Sequence, residues 1–186
     1  MAIVSADIGK GKTLLLGILA RSLPHGIKKL GYVSNVPDAE LLSYNDINFD
    51  EEIKARENFW IPKYFFLDET NFWIEGVDFI GNRKYHKGVA WLLQIARHHR
   101  IHLWISATRD NHVWVAIRQI ANYYVKLDGL RPLCDLGKFT FFNLRINFYN
   151  QSWELEKSFN ILVSNLDFRL YDSYWLRNTS AFRKII

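Results

Sequence analysis

The stretch "AIVSADIGKGKTLLLG", residues 2–17, constrains this chain more than any other. A short apolar, β-branched run leads into a glycine- and lysine-rich turn, and a run apolar on most faces follows. That order reads as strand, loop and helix. The turn ends in Gly11-Lys12-Thr13, as the phosphate-loop pattern G-x-x-x-x-G-K-[ST] requires. Ala6 stands where the pattern has its first glycine, which is acceptable only if that position needs no positive φ. In such a loop the backbone N–H groups wrap phosphates at a helix N-terminus, where the helix dipole favours negative charge. Lys12 then reaches the β- and γ-phosphates of ATP, and the Thr13 hydroxyl ligates Mg²⁺. Ile8, Gly9, Lys10, Gly11, Lys12 and Thr13 are the expected nucleotide-binding residues. A plain strand-to-helix turn is the competing reading.

A second element weighs against that competitor. In "YFFLDE", residues 64–69, four apolar residues end in Asp68-Glu69. Both carboxylates then sit at the C-terminal end of a buried strand, where ligands bind in open α/β sheets. Asp68 suits a Mg²⁺ partner, and Glu69 suits the residue that orients and activates an attacking water. The adjacent glutamate points to nucleotide hydrolysis rather than to transfer onto a small-molecule hydroxyl. A third element, "ARHHRIHLWISATRD", holds a helix ending at Arg97 and a strand finishing at Thr108-Arg109. Arg97, Arg100 and Arg118 are each candidates for an arginine donated to a neighbour's γ-phosphate. His98, His99, His102 and His112 lie close in sequence, but their spacing suits solvated or capping histidines better than a metal site. The basic stretch "GNRKYHK", residues 81–87, reads equally as a nucleic-acid contact or a solvated loop.

Along the chain, strands are expected at residues 2–5, in "LGYVSNV" at 30–36, at 63–69, at 101–108 and in "NYYVKL" at 122–127. Helices are expected after Thr13, ending before Pro24 and Gly26, over 88–99 and over "VWVAIRQIA" at 113–121. Residues 38–60 are polar and acidic and read as a loop with one helix at most. "FTFFNLRINFY" suits hairpin strands, and "FRLYDSYW" a final edge segment. Alternation of strand and helix argues an α/β fold, a mostly parallel sheet with helices on both faces, followed by an antiparallel C-terminal extension. One domain spans residues 1–186, its core about 1–130 and its β-rich extension about 131–186. With 49% hydrophobic residues, disorder is excluded. No apolar run approaches the roughly 20 residues that span a bilayer, and the glycine-rich loop occupies the place of a secretory signal. The single Cys134 excludes an internal disulfide framework and suits a reducing cytoplasm. A net charge of +5 is a mild hint of an anionic partner.

Taken in order, "GKGKT … YVSNVPD … FFLDETNFW … WLLQIARHHRIHLWISATRD … AIRQIANYYVKLD … FRLYDSY" resembles the zonula occludens toxin-like family. That family includes the filamentous-phage assembly ATPases, within the FtsK–HerA class of DNA-pumping motors. The resemblance implies a RecA-like core, in which one strand lies between the phosphate-loop strand and the Asp-Glu strand. It also implies a hexameric homo-oligomer with nucleotide at the subunit boundary, and DNA as partner. By position, Lys12 and Thr13 take the Walker A roles, Asp68 and Glu69 the Walker B roles, and Arg97 the place of an arginine after the fourth-strand helix. Arg109 stands where the family has a glutamine that senses the γ-phosphate. Filamentous-phage assembly ATPases carry a membrane span and an outer domain after the motor. Neither is seen here, which suits a motor segment alone or a genome-packaging relative. The expected setting is the host cytoplasm, with virion or assembly proteins or the inner membrane face nearby. A nucleotide-binding switch with little turnover is the alternative function, kept open by Arg109; a small-molecule kinase ranks lower.

Overall fold

The computed structural model describes residues 1–23, 28–31, 40–42, 63–68, 101–109, 113 and 115–170. Glu69, Arg97, Arg100, His98, His99, His112, the basic stretch at 81–87 and the helix expected over 88–99 lie outside them. Among the described residues no helix is long and apolar enough to cross a membrane.

Strand β1 (Ala2–Ser5) is buried at every position, as its unbroken apolar run demands. Helix α1 (Lys12–Ser22) follows the loop. Strands β2 (Lys28–Gly31), β3 (Glu40–Leu42), β4 (Lys63–Leu67) and β5 (Ile101–Ala107) come next. The short helix α2 (Val115–Ile120) then leads to β6 (Tyr123–Asp135), β7 (Thr140–Tyr149), β8 (Leu155–Ser164) and a 3₁₀ turn at Asp167–Leu170. The eight strands among the described residues form one sheet, in the order β3-β2-β4-β5-β1-β6-β7-β8. Every pairing from β3 to β6 is parallel, whereas β6–β7 and β7–β8 are antiparallel. β5 therefore lies between the phosphate-loop strand and the strand that ends at Asp68, as the resemblance implies.

Four details differ from the sequence reading. The second strand begins earlier, at Lys28. A three-residue strand, Glu40–Leu42, occupies part of the stretch read as loop, and it is too short to show any periodicity. The edge strand is β8, while Phe168 belongs to the 3₁₀ turn. β6 also runs through residue 131, so core and extension share a strand.

The sheet has two different faces. Ala2 and Val4 of β1 pack with Leu14, Leu15, Leu16 and Ala20 of α1, and with Val125, Leu127, Leu144 and Ile146. Because side chains alternate along a strand, Ile3, Ser5 and Lys126 point to the other face. The chain passes from β1 to β2 through α1, in one direction across the sheet, and from β5 to β6 past β1 through α2, in the other. Right-handed crossovers in opposite directions put these helices on opposite faces.

The extension is tied to α1 by one ion pair. Arg21 lies 2.7 Å from Asp167, whose carboxylate also accepts from the Ser164 N–H at 2.8 Å and the Ser164 hydroxyl at 3.0 Å. Burial pushes the Asp167 pKa up, but the Ser164 bonds and Arg21 outweigh it, so it falls below its ordinary 3.8. A carboxylate depressed in the folded state adds stability above its unfolded pKa, and that stability is lost as pH falls through the folded value. Asp167→Asn is expected to cost about 1 kcal/mol at neutral pH, since solvent reaches Arg21. The difference from wild type should shrink below about pH 4 in chemical denaturation run across pH.

Candidate functional site

The loop between β1 and α1 is built by two glycines. Gly9 and Gly11 have φ of 78° and 94°, in the left-handed region that side chains disfavour. Ala6 has no positive φ, so the missing first glycine costs the loop no strain. Gly11 caps α1 without a side-chain hydrogen bond, and no acidic residue stands in the first turn. The first N–H groups of an eleven-residue helix are thus left without carboxylate or hydroxyl partners from the cap. Such an end is suited to an anion. Lys12, 5% exposed, donates its ammonium to the carbonyls of Ala6 at 2.8 Å and Asp7 at 3.2 Å. The ammonium is held across the mouth of the loop by its own backbone. Ile8 stands exposed at the apex.

Thr13 and Asp68, 55 residues apart, meet at this site: the Thr13 hydroxyl donates to Asp68 Oδ2 at 2.5 Å. Asp68 follows directly from β4 and is 3% exposed. Its other oxygen accepts from the Ser106 hydroxyl. Leu67 pairs with Ile105, so the next residue on each strand, Asp68 and Ser106, arrive side by side. Sequence reading missed Ser106, although a serine in the otherwise apolar "IHLWISA" was a visible signal. A buried carboxylate and a hydroxyl in contact form a hard-oxygen donor set that fits Mg²⁺.

Lys10 packs on the extension. Gly129, at φ 93°, lies so close that a Cβ there would stand 2.8 Å from Lys10 Cδ. The pairing of β6 with β7 shifts register between Leu127 and Leu130, which accommodates this contact. The DG pair in the sequence, Asp128-Gly129, was its only signal.

Arg109 stands at the end of β5, exposed. It lines a cavity of about 580 Å³ with Asp7, Thr108, Arg118 and Lys126. Of the four clustered histidines only His102 is described. It sits in β5, its ring stacked on Tyr64 at 4.9 Å, and burial lowers its pKa. Among the described residues no group of three or more His, Cys, Asp or Glu side chains could hold a metal ion.

A phosphate-type loop on β1, a carboxylate at the end of β4 and an intervening β5 define the RecA-like P-loop NTPase fold. Solved structures agree. The genome packaging NTPase B204 of Sulfolobus turreted icosahedral virus 2, in complex with ATP-gammaS, matches with a TM-score of 0.55 at 12% identity, over 84% of this chain and 95% of that one. The N-terminal domain of zonular occludens toxin from Neisseria meningitidis matches with a TM-score of 0.55 at 14% identity, over 92% and 97%. A KaiC-like protein of Pyrococcus horikoshii matches at 0.52, with 12% identity over 88% of each chain. The resemblance read from the sequence therefore holds at the level of fold. No family model matches the chain. Among curated proteins, the uncharacterized protein ORF2 of Spiroplasma virus SpV1-C74 is 26% identical over 152 residues, or 77% of this chain. Its counterpart in Spiroplasma virus SpV1-R8A2 B gives the same figures. The chain spans 42% of the length of these relatives.

Proposed function

We propose that this chain is the ATP-hydrolysing motor of a virus, coupling turnover to DNA movement in packaging or extrusion. The observation that carries this is the meeting of Thr13 and Asp68 beside an uncapped, glycine-built helix N-terminus that holds a buried lysine. The viral setting is supported by the names of the relatives and of the packaging NTPase that shares the fold.

In this reading the loop amides from Ile8 to Thr13 bind the phosphates, and Lys12 exchanges its two carbonyl contacts for phosphate oxygens. Thr13 and Asp68 would hold Mg²⁺, which when bound would supply positive charge to the phosphates. Ser106 fixes the Asp68 carboxylate from the far side. Glu69, the residue after Asp68, orients the attacking water. An arginine from a neighbouring subunit, with Arg97 as first candidate, completes the site in a hexameric ring. Catalysis is positioning and electrostatic stabilisation. The proposed partners are DNA, further copies of the chain and virion or assembly proteins, in the host cytoplasm or at the inner membrane face.

Arg109 favours a second reading, a nucleotide-binding switch with little turnover, because arginine replaces the expected glutamine. Glu69→Gln separates the two. A motor loses at least about 100-fold in hydrolysis while ATP affinity stays within a few-fold. A switch shows no hydrolysis to lose, and its assembly behaviour is unchanged by the substitution.

A further inference from the structure

The cavity beside the P-loop is built from five separate segments and has a cationic wall. Ser5 and Asp7 come from the end of β1 and the loop, Arg109 from the end of β5, Arg118 from α2, Lys126 from β6, and Trp153 from the β7–β8 turn. Among the described residues, three cations line the cavity with one carboxylate, that of the exposed Asp7. Arg118 Nε is buried and has no hydrogen-bond partner, and the same holds for Ser5 Oγ. Buried polar atoms are nearly always paired, and two unpaired ones among the residues lining one cavity are groups that a polar ligand there would satisfy.

Trp153 is the third unusual feature. Its φ of 62° makes it the one non-glycine residue with positive φ among those described. A bulky residue persists in that region only where its surroundings hold it, and such strain gathers at functional sites. Here the Trp153 N–H donates to the Asn150 carbonyl at 3.1 Å, and the indole stacks on Tyr124 at 4.3 Å. Lys126 Nζ lies 5.2 Å from the centre of the indole ring. The strained turn therefore fixes both an aromatic wall and a cation.

We propose that this cavity is a second phosphate-binding site, separate from the one formed by the loop amides and Lys12, with Arg118 as its principal ligand and Arg109 and Lys126 as supporting cations. A guanidinium presents a planar fork of donors that matches phosphate oxygens. The volume of about 580 Å³ falls within the usual range for small-molecule sites. It exceeds what one phosphate fills, so the phosphate belongs to a larger molecule, either a free nucleotide or a nucleic-acid backbone. The site touches the ATP site through the loop itself. Asp7 lines the cavity, and its carbonyl receives the Lys12 ammonium. Occupancy of the cavity thereby acts on the loop that holds Lys12.

Calorimetric titration of pyrophosphate into a Lys12→Ala chain tests this, because that change weakens the P-loop and removes none of the three cations Arg109, Arg118 and Lys126. The expected result is one saturable site, weakened at least about tenfold when Arg118→Met is added. No saturable binding to Lys12→Ala, or an affinity indifferent to Arg118→Met, overturns the proposal. If Arg118→Met does not fold, Arg109→Met on an exposed side chain is expected to weaken binding by about threefold, and no change overturns it equally. Displacement of pyrophosphate by a short single-stranded oligonucleotide identifies the source as nucleic acid. Displacement by AMP but not by the oligonucleotide identifies a free nucleotide. Both outcomes support the site. Failure of the P-loop reading looks different, since ATP would then bind wild type and Lys12→Ala alike.

Discussion

A Lys12→Ala chain is expected to bind ATP roughly 100-fold more weakly than wild type, the scale set by losing one or two charge-assisted hydrogen bonds to phosphate. Lys12 is 5% exposed, and its ammonium meets two carbonyls of its own loop. Burying a cation is unfavourable unless its surroundings are arranged to use it. Two backbone carbonyls accept from two of the ammonium's three donors and do not balance its charge, and a polyphosphate would supply both the third acceptor and the anion. Alanine removes both carbonyl contacts as well, so stability should fall by about 1–2 kcal/mol. Thermal unfolding followed by titration calorimetry with Mg²⁺ and ATP separates the two effects. A folded Lys12→Ala chain with wild-type affinity would show that the loop does not hold phosphate.

Asp68→Asn carries the second large expected effect, a fall in turnover of about 1000-fold with only a modest loss of stability. The carboxylate accepts from the Thr13 and Ser106 hydroxyls, one on each oxygen. Asparagine keeps one acceptor and presents an amide donor on the other side, where a hydroxyl can rotate to accept. The local geometry therefore survives, and the stability cost should stay near 1 kcal/mol. The negative charge does not survive, so the hard-oxygen pair with Thr13 loses its hold on a divalent cation. A turnover assay at saturating ATP, with Mg²⁺ varied, is the appropriate check. Turnover within tenfold of wild type would remove Asp68 from the site. A Ser106→Ala change should act in the same direction but more weakly, because it removes one bond and no charge.

The parts of this site that were legible in the sequence are those encoded within a few consecutive residues. Gly9, Gly11, Lys12 and Thr13 announce the loop, and an apolar run ending in Asp68 announces the strand end. The intervening position of β5 came from the resemblance and was then met in the strand order. What was not legible depends on register or on distant segments. Ser106 reaches Asp68 only because β4 and β5 pair as they do. β8 is exposed at most of its positions, so it has no apolar alternation to betray it. Glu40–Leu42 is too short to show a period. The cavity could not be foreseen at all, because its wall draws on five segments and on a tryptophan backbone conformation that no local pattern signals.

The central claim is that the loop at Ala6 to Thr13 drives turnover, and ATP hydrolysis followed across protein concentration, with and without DNA, tests it most directly. The account predicts turnover that rises cooperatively as subunits assemble and increases further when DNA is added. Tight ATP binding with no turnover in any oligomeric state would contradict it, and would leave a nucleotide-binding switch in place of a motor.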